Sequence, residues 1–464
     1  MNKALNRLTQ LLDPHSLELM DDLEPTIHIL VKGAISGRPV YCCSGNPDAK
    51  GVDIHECFRR KINWLEAILN KPAPVVWLHD FPQQAPGGRT PIPARSDELL
   101  ASNESGVGRA FCLQARLNGI TPQISALFSD AGAAQTFPVR LCDITLLKNG
   151  SHMWIGRPDA VKLMLGKAPD PEELGGAQMH CKLSGVGDVL FEQDEEALEW
   201  IRTCIENLPS TATAPLPVHP PVPPALSGEQ IAAMVPADLN TPFNMRPLLG
   251  GILDAGSWME IQEQYAPEIM TGLCRINGIP AGILANNSVE CGGVLYPESC
   301  RKMTGFIRFC DTYRIPMLFL ADNPGLMVGT ATEQAGMLNE ATELLRTLAH
   351  CRTPRICLVI RKAYTVGLYA MSGPGFDPAE FIATPHASIS VFGPKALDYF
   401  AADRTIPQAA LQAILEMRRH ATEPRVYEEK GYLNAVVEWQ DLRPHLESAM
   451  TKLRQGFAAQ GNRK

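Results

Sequence analysis

The sequence predicts an α/β protein built around parallel sheets, with the whole arrangement made twice. Short apolar runs such as Val75–Leu78 and Met317–Leu320 have the character of buried strands. Stretches of helical spacing, Arg60–Leu69 and Arg301–Phe309, precede them. Strands that alternate with helices imply β-α-β units with right-handed crossovers. The third observation is repetition: four blocks of the first half return in the same order in the second.

GAISGRPVYCCSGN, FRRKINWLEAI and PVVWLHD correspond to CRINGIPAGILANN, CRKMTGFIRFC and PMLFLAD, displaced by about 241 residues. TPQISALFSDAGAAQTFPV, from Thr121, and TPRICLVIRKAYTVGLYAM, from Thr353, follow at a displacement of 232. SHMWIGRPDAVKLM and ASISVFGPKALDYF align after them, around Gly156 and Gly393. Each unit therefore reads strand, helix, strand, loop, helix, strand, turn, helix, strand. Two purely structural layers would carry the same pattern, so a function needs further support.

Between the copies lies STATAPLPVHPPVPP, residues 210–224, with six prolines and no Asp, Glu, Lys or Arg. Such a stretch favours extended geometry over packing into a core. It divides the chain into an N-terminal domain, 1–208, a linker, 209–227, and a C-terminal domain, 228–464.

A chain of 464 residues, 45% apolar and 20% charged, is globular and long enough for two or three domains. The net charge of −8 argues against nucleic acid as the main partner. No apolar run approaches the ~20 residues that span a bilayer, and the start of the chain lacks a signal-peptide core. The thirteen cysteines include no Cys-x-x-Cys pair, which excludes a zinc ribbon or dithiol motif and suits reduced thiols. A cytoplasmic protein without a membrane partner is expected. Asp53-Ile54-His55-Glu56 could imitate a metal cluster, but a solvated helix start explains it better, so no metal site is expected.

The small residues Ala131, Gly132, Ala133 and Ala134, and the turn at Thr365-Val366-Gly367, fall where a strand ends and a helix begins. Ligands of parallel sheets gather at that edge. The first amides of a helix lack intrahelical partners, and the helix dipole makes that end positive. Two such donors form an oxyanion hole, each donor worth roughly 3–4 kcal/mol where a carbonyl oxygen becomes negative. Gly132, Ala133, Ala134, Val366 and Gly367 are the candidate donors. Negative φ is expected at these turns, as at an ordinary helix start.

Longer motifs show a resemblance. RKAYTVGLYAMSGP is similar to an Arg-Lys-Ala-Tyr-Gly turn, and FCDTYRIPMLFLADNPGLMVGTATEQAG to a Phe-Cys-Asp…Asp-x-Pro-Gly…Gly-Thr stretch. EELGGAQMHCKLSGVGDVLFEQDEEAL and RLTQLLDPHSLEL match further segments, so that the likeness runs from about Leu8 to Leu453. The chain resembles the carboxyltransferase (β) subunits of biotin-dependent acyl-CoA carboxylases. That resemblance implies two tandem crotonase-like (ClpP/crotonase superfamily) β-β-α superhelix domains. It implies carboxyl transfer from carboxybiotin to the α-carbon of an acyl-CoA thioester, one turn holding the enolate oxygen and the other the ureido oxygen of biotin. The biotin and the biotin carboxylase come from partner polypeptides, since this chain has no Met-Lys-Met attachment sequence. A homo-oligomer, either a dimer or a hexamer built as a trimer of dimers, or a hetero-oligomer with another carboxyltransferase subunit, is implied as well.

The likeness has gaps. Ala133-Ala134 and Thr365-Val366 stand where glycines are expected, and Gly51-Val52 replaces a Gly-Gly pair. After Asp80 a Ser-Gly-Gly-Ala-Arg loop gives way to FPQQAPGGRTPIPAR, in which Gly87, Gly88 and Arg89 are candidates for its substrate-binding role. Arg361 and Lys362 are candidates to meet phosphate or carboxylate, with Tyr364 and Thr365 beside them. A biotin-independent acyl-CoA decarboxylase and a non-catalytic subunit are the other readings. His180 is expected to make a structural hydrogen bond, and Asp322 to serve its turn.

Overall fold

The computed structural model describes residues 3–20, 24–82, 95–402 and 406–461. The chain divides into two compact units, Met1–Pro217 and Val218–Lys464, and the division falls inside the proline-rich stretch.

The first unit contains β1 (Glu18–Leu19), β2 (His28–Ile35), β3 (Arg38–Gly45), β4 (Val75–His79), β5 (Gln123–Leu127), β6 (Ala131–Gly132), β7 (Ile144–Lys148), β8 (Met153–Trp154) and β9 (Val189–Phe191). Its sheet runs β1-β2-β3-β4-β5-β7-β9, while β6 and β8 form a separate short pair. The second unit contains β10 (Met259–Ile261), β11 (Ile269–Ile276), β12 (Ile279–Asn286), β13 (Met317–Asn323), β14 (Arg355–Tyr364), β15 (Glu380–Ala383), β16 (Ser388–Ser390) and β17 (Ala435–Val436). Its sheet runs β10-β11-β12-β13-β14-β15-β17, with β16 pairing to β14 beyond the end of β15. The two sheets have the same strand order.

The expected helices and strands are present, but the sheets are mixed. β1-β2-β3 and β10-β11-β12 pair antiparallel, and parallel pairing begins only at β3–β4 and β12–β13. The reason is local: Ser36-Gly37 and Asn277-Gly278 form two-residue turns with φ of 50°, 73°, 55° and 70°. Such paired left-handed residues match the twist of a hairpin.

Burial explains why the remaining strands read as apolar runs. All five residues of β4 and all seven of β13 are buried, as befits strands covered on both faces. The helix Ile54–Asn70 starts at Asp53, whose carboxylate accepts from the His55 and Glu56 amides. It lays Ile62, Leu65 and Ile68 against Tyr41, Val75 and Trp77. Burying each such aliphatic side chain contributes roughly 1.5–3 kcal/mol. Glu56 pairs with Arg59 and Arg60 at the surface, whereas His55 is buried rather than solvated.

Among the described residues no helix is long and apolar enough to cross a membrane. All thirteen cysteines are free thiols.

The two hairpins make a controlled comparison. A Cβ on Gly37 would meet nothing within 4 Å, whereas one on Gly278 would lie 2.0 Å from the His219 carbonyl oxygen. Gly37→Ala should cost about 1 kcal/mol, the ordinary penalty of a left-handed alanine. Gly278→Ala should cost clearly more, because main chain must move. Denaturant midpoints measured in parallel check this, and equal losses would contradict it.

Candidate functional site

Each unit turns in the same way at the carboxyl edge of its sheet. After β5 the chain passes Phe128-Ser129-Asp130, pairs β6 with β8 at Gly132 and Trp154, and enters a tight turn over Ala133–Gln135. After β14 it pairs Tyr364 with Ser390 and enters the helix Thr365–Ala370. The residues that change direction are Ala133, with φ 54°, and Thr365, with φ 48°. They lie 232 residues apart and are the same position of the repeat.

This overturns the expectation of negative φ. Both turns use the left-handed region, where a non-glycine residue is held at a cost of roughly 1–3 kcal/mol and a β-branched one is a genuine outlier. The glycines do other work. Gly132 is extended, with φ −132°, and a Cβ there would strike Arg157. A Cβ on Gly367 would come within 2.9 Å of Asn323 and 3.0 Å of the Gly325 Cα.

The first turn is open. Ala133 and Ala134 are exposed, and their amides occupy the first positions of the turn, without intrahelical partners. The Gly132 amide donates to Gln135 Oε1 at 3.3 Å. Ser129 Oγ accepts from the Phe81 amide at 2.8 Å and ties the end of β4 to the end of β5.

Two cavities flank this edge. One, of about 490 Å³, is mostly apolar and reaches from Ala134 and Gln135 past Phe58, Phe81 and Phe111 to His79. The other, of about 620 Å³, is more polar and is lined by Lys3, Asp80, Ser129, Asp130 and Lys148 among others. Burial draws the pKa of His79 down to about 3, helped by the charge of Lys61, so its ring is neutral.

The second turn rests on a buried ionic lock. Arg361, sealed at 0% exposure, holds Asp322 at 2.8 Å. It also donates to the Thr241 carbonyl at 2.8 Å and lies over the ring of Phe243 at 4.5 Å. Lys362 Nζ approaches the other Asp322 oxygen at 3.5 Å, and burial pulls its pKa down against the attraction of Asp322. The carboxylate that Arg361 meets is thus the protein's own Asp322, which makes it a positioning residue. Tyr364 is buried, with its hydroxyl 3.0 Å from Ser388 Oγ. Thr365 is exposed and Val366 is 37% exposed, so both side chains stand at the mouth of the turn. Asn323 donates to the Gly367 carbonyl at 3.2 Å and accepts from the Gly325 amide at 2.7 Å, clamping the Asp322–Gly325 loop against the helix.

Asp80 directly follows β4, and Asp322 lies near the end of β13. Asp80 too faces a buried arginine, Arg7, at 2.6 Å, supplied here by the N-terminal helix. His180 is structural: Nε2 donates to the Met153 carbonyl at 2.8 Å, and Nδ1 accepts from Ser184 at 2.9 Å. Gly87, Gly88 and Arg89 lie outside the described residues. Sequence reasoning missed Ser129, Gln135 and Asn323, polar side chains that occupy the amides and carbonyls around each turn.

A model of the carboxyl transferase domain family matches residues 32–462, and the chain belongs to that family. The propionyl-CoA carboxylase beta chain of Roseobacter denitrificans is 32% identical over 428 residues, 91% of this chain and 82% of that protein. The methylmalonyl-CoA decarboxylase subunit alpha of Veillonella parvula is 30% identical over 427 residues, 91% and 81% of the two chains. A solved structure of transcarboxylase 12S, a hexamer assembly with hydrolysed methylmalonyl-coenzyme A bound, is similar with a TM-score of 0.85 at 26% identity. That likeness covers 97% of this chain and 89% of the other. The fold is the crotonase-like carboxyltransferase fold of those proteins.

Two outcomes follow from this geometry. Ala133→Gly and Thr365→Gly should each raise stability by about 1 kcal/mol, the larger gain at Thr365. For units of this size that is a rise of roughly 2–4 °C in Tm, and an unchanged or lower Tm at both positions would refute the strain. Arg361→Met should lose roughly 3–5 kcal/mol, because it leaves Asp322 buried and unpaired. A Tm within 1–2 °C of the parent, read by calorimetry, would show that the lock is dispensable.

Proposed function

We propose that this protein is the carboxyltransferase subunit of a biotin-dependent acyl-CoA carboxylase. It would move a carboxyl group from carboxybiotin, carried by a separate polypeptide, to the α-carbon of an acyl-CoA thioester. The observation that supports this most is the pair of equivalent left-handed turns at Ala133 and Thr365. Each begins a helix at the carboxyl edge of a parallel sheet, and the strain at each is what a required backbone geometry leaves behind.

In this reading the thioester lies with its acyl group in the apolar cavity beside Ala134. The Ala133-Ala134 amides receive the oxygen that turns negative when the α-proton leaves, with Gly132 shaping the approach. A backbone donor needs no ionisable side chain, which suits an edge where Asp80 and Asp322 are both locked to arginines. Carboxybiotin supplies the activated carboxyl group. Thr365, Val366 and Gly367 would present amides to its ureido oxygen, past the exposed Thr365 and Val366 side chains. Gly87, Gly88 and Arg89 stay as candidates for contacts to the thioester, and Lys362 and Tyr364 as candidates for contacts at the second turn. We also propose a homo-oligomer, hexameric like transcarboxylase 12S, with a biotin carboxylase and carrier as partners. Ile155, Leu163, Met164 and Leu165 are exposed apolar residues that assembly would cover.

One feature favours a second reading, an acyl-CoA decarboxylase that works without biotin: the β-branched pair Thr365-Val366 narrows the second turn. The two readings separate in one assay, in which the purified chain meets a ¹⁴C-carboxylated biotin carrier and a panel of acyl-CoA thioesters. Carboxyl transfer predicts acid-stable label on coenzyme A products, more than 10²-fold above the rate without the chain. No transfer to any thioester, together with equal loss of CO2 from a carboxylated acyl-CoA with and without biotin, would replace it with the decarboxylase. ATP-driven carboxylation by the chain alone would contradict the division of labour.

A further inference from the structure

The repeat supplies its own control for one buried lysine. Lys302, on the helix Pro297–Thr312, and Lys61, on the helix Ile54–Asn70, occupy the same position of the two units. Lys302 Nζ donates to the carbonyls of Gln262 and Tyr265 at 2.7 Å and approaches that of Ala266 at 3.4 Å. Burial draws its pKa down to about 7, and those carbonyls hold the ammonium as a structural pin.

Lys61 is equally buried, at 4% exposure, but is used differently. Its Nζ sits over the face of Trp77 at 4.9 Å, and burial draws its pKa down, opposed only by the neighbouring Cys43 and Cys142 thiols. It lines the apolar cavity that reaches Ala134. Two imidazoles line the same cavity with a ring nitrogen buried and unpartnered, His28 at Nδ1 and His79 at Nε2. Burial and the nearby Lys61 charge keep both rings neutral. Among the described residues the one carboxylate on the cavity wall, Asp80, is already paired with Arg7. A cation in apolar surroundings without a counter-ion is costly. Three polar groups with free hydrogen-bonding capacity on one apolar wall are the arrangement that orients a polar ligand group.

We propose that Lys61 makes this cavity selective for acyl chains that end in a carboxylate, with His28 and His79 as accessory hydrogen-bond donors. This rests on the acyl-CoA reading above and narrows its substrate class to thioesters of dicarboxylic acids. The chain's apolar methylene groups would lie against Phe58, Phe81 and Phe111, and the terminal carboxylate would supply the missing counter-ion.

The test is calorimetric titration of the full chain with coenzyme A thioesters matched in length and differing only at the far end. Butyryl- and succinyl-CoA form one pair, valeryl- and glutaryl-CoA a second, hexanoyl- and adipoyl-CoA a third. The proposal expects at least one carboxylate member to bind 10-fold or more tightly than its methyl partner. Lys61→Met should reverse that preference and Lys61→Arg retain it, with Tm recorded for each variant. The parent comparison decides the matter even if Lys61→Met fails to fold. Equal or tighter binding of the methyl member in all three pairs would overturn the carboxylate assignment and leave the acyl-CoA reading standing. Binding of no thioester at all would overturn both.

Discussion

Everything at the candidate site depends on how the chain leaves a buried parallel strand. To present helix amides at the open edge of the sheet, the backbone must reverse within one residue. That reversal places Ala133 and Thr365 in the left-handed region. Glycine would adopt it freely, and a threonine there is strained. The surrounding structure holds each reversal in place: β6 pairs with β8 at the first turn, and β14 with β16 at the second. Asn323 then clamps the neighbouring loop onto the second helix.

The ionisable groups near these turns are mostly committed elsewhere. Asp80 and Asp322, equivalent in the repeat, each meet a buried arginine, but from different elements: Arg7 on the N-terminal helix, Arg361 on β14 itself. The fold has preserved the neutralised aspartate while changing its partner. Acid–base chemistry by these carboxylates is therefore disfavoured, and the edge is left with backbone donors, an apolar cavity and two neutral imidazoles. Such an edge suits a reaction whose enzyme need only hold an oxygen as it gains charge.

Much of this was legible in the sequence, for physical reasons that differ by element. β4 and β13 are buried on both faces, so their apolar runs stand out without any alternation. The repeat located both turns, because two copies of one backbone conformation keep similar small-residue patterns. The antiparallel entry to the second sheet was written in Asn277-Gly278, a hairpin signal overlooked beside the helices that follow, and Ser36-Gly37 is its weaker counterpart in the first. The sign of φ at Ala133 and Thr365 was not legible, because alanine and threonine give no hint of a left-handed backbone. The partner of Arg361 was not legible for a related reason: its place at a strand end marks it as an anion-binding candidate, but only packing shows that Thr241, Phe243 and Asp322 close over it. The divergent uses of Lys61 and Lys302 lay in aligned blocks, but only packing distinguishes a lysine pinned by carbonyls from one facing a cavity.

The central claim is that the first turn binds an oxygen more strongly as it becomes negative. It is tested most directly by comparing the affinity of an acyl-CoA thioester with that of a coenzyme A conjugate bearing a nitronate where the enolate would form. Selective stabilisation of the charged form predicts that the nitronate binds at least about 10²-fold more tightly. Equal affinities would mean that the amides at Ala133 and Ala134 do not grip the oxygen, and would contradict the account.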